Sequence, residues 1–408
     1  MSKATVIHIG LVSQNLAPNV IPALMMRPER FLMLVSEEMK DNANHLKRIL
    51  ENNGIAVTHY PKTLPNHDYA ELLDFALGVL TETEAQASSL VMNVTGGNKL
   101  MSLAFVEAFR ATEQADIIYV DTANQAIEFL GQPPKKPQPL SSVVSIDTCL
   151  ALHQRKLRQV VSSEQAWLDT AQSRKALVKK MAHPDNHYVQ VAGIINYAAS
   201  GARPEPQRGN KAAKAFSPVQ PVDYIKPRLA QWADTLSQAS LMEADRQRNQ
   251  LIFHSEEATG FLCGGWLEEY VYWCGVDAGL YDVGMSVEFT DTYGKRSTAR
   301  NEFDVMMMHN NRALIVECKT ASMKGSNQDI VNKLSAVAES AGGIFADKLL
   351  VSLNDIGPEA HQRCQLHHII PIIGAQLSIL PELLACWRDG GDDDEMRALL
   401  TSKPSSQR

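Results

Sequence analysis

The feature that most restricts the fold is a rhythm in the first third of the chain. Five short apolar runs, Thr5–Leu11, Phe31–Val35, Ile55–His59, Ser89–Val94 and Ile117–Val120, alternate with amphipathic helical patterns such as Asn42–Glu51 and Tyr69–Leu80. Strands that are apolar throughout need cover on both faces, and strands separated by helices run parallel. Residues 1–137 are therefore expected to form an α/β layer, a Rossmann-like parallel sheet with helices on either side. Ala126–Leu130 would add an edge strand.

Ligands of such sheets bind at the carboxyl ends of the strands. Ser13, Gln14 and Asn15 follow the first run, and Thr95-Gly96-Gly97-Asn98-Lys99 follows the fourth and leads into a helix. Two glycines let backbone N–H groups approach an anion, the helix N-terminus favours negative charge, and Lys99 adds a cation. A glycine pair alone more often marks a tight turn. The polar residues gathered at one predicted edge favour a phosphate-bearing ligand. Neither GxGxxG nor GxxxxGK[ST] is present, so no dinucleotide or P-loop nucleotide is indicated.

Gly131–Pro137 reads as a linker, and 138–250 as a helical, basic connector with room for a winged-helix-like unit. Ile146–Met181 and Ile225–Asn249 look helical, and Ser200–Val222 looks like a loop or hairpin. The chain has a formal net charge of −7, yet 151–230 holds thirteen Lys and Arg against five Asp and Glu. A local polyanion contact and a solvated linker are both compatible with that. Six cysteines lie apart without CxxC spacing, as in a cytoplasmic protein with reduced thiols. No signal peptide and no membrane span are expected.

From about 251 the element order becomes α-β-β-β-α-β. Its centre is a predicted hairpin, Glu302–Met308 and Ala313–Lys319, turning at Asn310-Asn311 because Asn tolerates positive φ. That register sets Asp304 opposite Glu317 with Cβ atoms roughly 5 Å apart, and alternation brings Lys319 to the same face. Two carboxylates suit Mg²⁺ or Mn²⁺, which would polarise a phosphoryl oxygen and generate hydroxide. Lys319 would orient the nucleophile or neutralise developing charge, and the Cys318 backbone carbonyl could complete the shell. Glu268, on the preceding helix, is the candidate third carboxylate, with Glu269 its competitor. A surface Asp/Glu/Lys network is the bland alternative. Asp389–Glu395 reads as a solvated acidic run.

The C-terminal part, 251–400, resembles the PD-(D/E)XK (restriction-endonuclease-like) nuclease superfamily. Asp304 matches its Asp, Glu317-Cys318-Lys319 its (D/E)XK and Glu268 its helix glutamate, with Phe303 where the superfamily has proline. The N-terminal part looks like a CARF domain, the Rossmann-like sensor of CRISPR systems, with Thr95–Lys99 as its ligand loop. Together they resemble the CRISPR ancillary nucleases. The resemblance implies a homodimer whose paired CARF domains bind one cyclic oligoadenylate second messenger, usually cyclic tetra-adenylate (cA4), a two-fold ligand for a two-fold interface. It also implies Mn²⁺- or Mg²⁺-dependent cleavage of DNA and/or RNA in antiviral defence. A constitutive repair or restriction nuclease, and a ligand-sensing DNA-binding regulator without nuclease activity, are the alternatives.

Overall fold

In the computed structural model, residues 5–122, 124–204, 214–291, 300–321, 327–342 and 346–402 are described. The early rhythm becomes β1 (Val6–Leu11), α1 (Ala17–Met26), β2 (Arg30–Leu34), α2 (Lys40–Asn52), β3 (Ala56–His59), α3 (Tyr69–Glu84), β4 (Ser89–Asn93), α4 (Lys99–Phe109) and β5 (Ala115–Asp121). β6 (Ala126–Phe129), β7 (Gln138–Pro139) and α5 (Ile146–Leu152) complete this part. The sheet order is β3-β2-β1-β4-β5-β6-β7. β1 to β5 are parallel, and β6 and β7 add antiparallel strands. The expected edge strand, β6, is thus covered by β7. Alternation sorts the core into two layers. Ile7, Ile9 and Leu11 pack with Leu72 of α3 and Phe105 of α4. Phe31 and Met33 pack with Val20 of α1 and Leu46 of α2. Each such side chain, fully buried, contributes about 1.5–3 kcal/mol.

The rest comprises β8 (Arg155–Val160), α6 (Gln165–Ala182), α7 (Val189–Ala202), β9 (Val219–Pro221), α8 (Pro227–Gln238), β10 (Met242–Asp245), β11 (Gln250–Phe253), α9 (Glu256–Gly260) and α10 (Trp266–Asp277). Then come β12 (Asp282–Asp291), β13 (Asn301–His309), β14 (Arg312–Lys319), α11 (Asn327–Gly342), β15 (Asp347–Ser352), α12 (Pro358–Leu366), β16 (Ile369–Ile373), α13 (Leu380–Arg388) and α14 (Asp393–Ser402). The expected α-β-β-β-α-β order is α10-β12-β13-β14-α11-β15. The sheet order is β16-β15-β14-β13-β12-β8, with an antiparallel β12–β13–β14 meander and parallel β14–β15–β16.

The connector differs from the expectation. The chain divides into two units, Met1–Arg155 and Lys156–Arg408, so the segment 138–250 is shared between them. Its helices have no core of their own. Trp167 packs edge-on against Tyr272, and Tyr188 against both Trp232 and Trp266, within one continuous core reaching Met396. The helix read over Ile146–Met181 is interrupted by β8, whose charged Arg155, Lys156 and Arg158 suit the edge of a sheet. The helix read over Ile225–Asn249 stops at Gln238, where Ser240 adopts φ 57°. The Asp245 carboxylate then accepts from Gln247 and Arg248 N–H groups at 3.0 Å and turns the chain into β11. β10, β11 and β9 form a small antiparallel sheet.

The acidic run is not wholly solvated. Asp392 and Glu395 accept each other's backbone N–H at 2.9 and 3.1 Å, a capping box that starts α14. Residues 292–295 of the turn read after β12, and 205–213 of the expected loop, lie outside the described residues.

Candidate active site and ligand loops

The β13–β14 hairpin turns at Asn310 and Asn311, at φ 48° and 58°, as a turn with two left-handed residues requires. The ladder runs from His309 opposite Arg312 to Val305 opposite Val316. One step further, Asp304 and Glu317 face each other. The Cys318 N–H donates to Asp304 Oδ2 at 2.7 Å, fixing that carboxylate at the strand end. Lys319 Nζ lies 2.5 Å from Glu317 Oε1, 3.1 Å from the Cys318 carbonyl and 3.8 Å from Asp304 Oδ2. An ammonium therefore rests among three oxygens of the kind a hard divalent cation takes, and the donor set fits Mg²⁺ or Mn²⁺. Among the described residues no three His, Cys, Asp or Glu side chains are grouped to hold a metal by themselves, so the carbonyl matters. The Cys318 thiol faces the core, as alternation requires.

The two helix carboxylates have different fates. Glu269 is buried and paired with Arg174 of α6 at 2.8 Å, while Arg174 stacks over Phe261. Glu268 senses the hairpin instead. Burial, then the charges of Asp304 and Glu302, push its carboxyl up to about 8. Burial and the facing Glu317 push Asp304 up to about 6. Lys319 behaves in the complementary way. Burial opposes its charge, but Asp304 and Glu317 hold the ammonium above its ordinary value.

Sequence reasoning missed the support of this centre. Before α10 the chain makes a π-helical turn, Phe261–Gly265. There the Cys263 carbonyl accepts from Asn196 Nδ2 at 2.7 Å and from Thr320 Oγ1 at 3.1 Å, and Asn196 Nδ2 also reaches Thr320 Oγ1 at 2.7 Å. Asn354 Nδ2 holds the Thr320 carbonyl at 3.0 Å. This ties the end of β14 to the entry of α10, and no local signal marks it because Asn196 lies in α7. Part of the basic segment is committed too. Lys175 and Lys179 pair with Asp277 of α10, at 2.5 and 2.6 Å, as Arg174 does with Glu269.

In the N-terminal unit, β1 and β4 lead away from each other in the strand order, making a topological switch point. The loops after them meet: a Cβ on Gly96 would stand 2.0 Å from the Leu11 carbonyl and 3.4 Å from Ser13 Oγ. Gly97 has φ +72°. The close approach and the left-handed backbone explain both glycines. Most of the predicted ligand side chains are engaged locally. Thr95 Oγ1 donates to Asn93 Oδ1 and accepts from the Val120 N–H, both at 2.7 Å. Asn98 caps α4 through Met101 N–H at 3.0 Å and donates to the Asn66 carbonyl at 2.8 Å. Ser13 donates to the Asn15 carbonyl at 3.0 Å, and Asn15 Oδ1 accepts from the Ala17 N–H at 3.2 Å. Gln14 and Lys99 are exposed, and Lys99 makes no ion pair among the described residues. A cavity of about 290 Å³ at the carboxyl ends of β2 and β3 has Lys40, His59 and Lys62 in its wall; nothing in the local sequence signalled it.

Residues 7–148 match the family description "Card1 CARF domain", and residues 255–388 match "Card1-like, endonuclease domain". Two solved structures share the fold. Protein VC1899 from Vibrio cholerae is 20% identical with a TM-score of 0.75, covering 95% of this chain and 99% of its own. Can2 from Sulfobacillus thermosulfidooxidans, solved with cyclic tetra-adenylate, is 22% identical with a TM-score of 0.65, covering 94% and 97%. A comparison with curated proteins found no match. Sheet orders, hairpin and the two domain matches define the chain as a CRISPR ancillary nuclease, a CARF domain joined to a restriction-endonuclease-like domain. Within that class, each of its two domains matches a Card1 description.

Proposed function

We propose that the protein is a metal-dependent nuclease whose CARF domain switches it on when cyclic oligoadenylate binds. The observation that carries the catalytic part is the convergence of Glu317, Asp304 and the Cys318 carbonyl on one point held by the Lys319 ammonium. Asp304, Glu317, Cys318 O and Glu268 would hold Mn²⁺ or Mg²⁺, which when bound supplies hydroxide from water and polarises the scissile phosphate. Lys319 would neutralise charge developing at phosphorus. Glu268, its carboxyl held up near 8, can keep a proton at neutral pH and give it up as the site is loaded.

On the sensor side, Lys99, Gln14 and the backbone N–H groups of Gly96-Gly97 are the groups left to meet the ligand. Ser13, Asn15, Thr95 and Asn98 shape the loops that present them. The fold shared with Can2, solved with cyclic tetra-adenylate, supports that ring as the activator. A ligand of two-fold symmetry fits a homodimer. The ligand must bind the active arrangement more tightly than the idle one. No described helix is long and apolar enough to cross a membrane, and a role in CRISPR defence supports a cytoplasmic location.

The test incubates labelled single- and double-stranded DNA and RNA with Mn²⁺, with and without cyclic oligoadenylates. Cleavage only with a cyclic oligoadenylate is expected. Equal cleavage without it would make the enzyme constitutive, and salt-dependent duplex binding without cleavage would make it a regulator.

A further inference from the structure

We infer that the solvent face of α7 around Tyr197 is a stacking platform for a base of a single-stranded nucleic-acid substrate. This rests on the nuclease reading and adds the substrate's form to it.

The sequence of α7, VQVAGIINYAASGA, carries no charged residue. A helix face turned to water ordinarily carries charge. Here that face presents Gln190, Gly193, Ile194, Tyr197 and Ser200, with Ile194 37% and Tyr197 84% exposed. A Cβ on Gly193 would meet nothing within 4 Å, so the surface beside the ring is open. One exposed tyrosine is ordinary; its position is not. The preceding residue, Asn196, is bonded to the Cys263 carbonyl and to Thr320, and Thr320 follows Lys319 directly. The ring thus stands on the helix that is fastened to the catalytic strand end, about 100° around the helix from that fastening.

Cations frame this uncharged face. Arg228 bonds the Gln190 side chain at its start, Lys214 bonds the Gly201 carbonyl at its end, and exposed Arg203 follows. An aromatic face between backbone-tracking cations is how single strands are held without regard to sequence. Bases in a duplex are covered by their neighbours, so only a strand with free base faces can use the ring.

The test uses the full-length protein with saturating cyclic tetra-adenylate and a chelator, so that nothing is cut. A single-stranded oligonucleotide carrying 2-aminopurine, as DNA and as RNA, reports affinity by anisotropy and stacking by fluorescence quenching. Tyr197→Ala should bind about tenfold more weakly and lose the quenching, while Tyr197→Phe and Tyr197→Trp keep both. A closed duplex should bind both proteins alike. Equal affinity and quenching in Tyr197→Ala would overturn the platform alone. No binding of any oligonucleotide by the unaltered protein would remove the nuclease reading as well. A shift from dimer to monomer in Tyr197→Ala, seen by sedimentation, would assign the face to a second copy of the chain and overturn the proposal.

Discussion

The hairpin centre and the proposed CARF ligand loops both gather polar residues at strand ends, yet they spend them differently. At the hairpin, Asp304, Glu317 and Lys319 face one another: burial and the charge of Glu317 raise Asp304, and the two carboxylates hold the Lys319 ammonium up. At the ligand loops, Thr95, Asn98, Ser13 and Asn15 are used up by capping and by ties between strands. A polar side chain next to a site is therefore not by itself part of its chemistry. What distinguishes the two cases is whether the fold already consumes its donors and acceptors.

Glu317→Ala gives the sharpest test. Cleavage should fall about a thousandfold while cA4 affinity measured by calorimetry stays unchanged. Retained cleavage would reduce the convergence to a structural ion-pair network. Arg174→Ala comes next. It leaves Glu269 buried without its partner and should cost about 3 kcal/mol in urea unfolding. Unchanged stability would return Glu269 to contention as the helix carboxylate. On the sensor side, Lys99→Ala should weaken cA4 binding about tenfold at constant melting temperature. Thr95→Val should instead cost about 1–2 kcal/mol of stability through the lost Asn93 and Val120 bonds. The reverse pattern would exchange the roles of the two residues.

Acid should act oppositely at the two places. His8 of β1 is fully buried against Phe31, neither ring nitrogen has a hydrogen-bond partner among the described residues, and burial lowers it to about 3. The unfolded chain takes up that proton below about 6.5 and the folded one does not. Stability is thus lost as pH falls from about 6.5 towards 3, at about 1.4 kcal/mol per pH unit. Glu268 and Asp304 are raised, so each adds stability as pH falls through its folded value, about 8 and about 6. Hydrogen exchange at pH 7 and pH 5 should show β1–β5 loosening in acid, and His8→Leu should abolish that loosening. An acid response unchanged in His8→Leu would discard this account.

Much of this was readable in the sequence because the signals were local. Asn310-Asn311 supplies two left-handed residues, and the register of the whole hairpin follows from that turn. The five apolar runs likewise imposed the parallel sheet. Other features were masked by charge. The arginines and lysine of β8 obscured an edge strand, and the acidic residues before α14 looked like a solvated run although Asp392 and Glu395 form a cap. The Asn196–Thr320 tie spans 124 residues, and no pattern in one sequence joins positions so far apart.

Lys319 has one more consequence. Two half-buried carboxylates facing each other would repel, and a domain that relied on a metal to quiet them would fold only when loaded. Here the chain brings its own counter-ion to the spot. Folding is thereby insulated from ion supply: the protein can be made, stored and kept intact in metal-poor surroundings, and on the proposed mechanism withdrawing a metal would silence it without dismantling it.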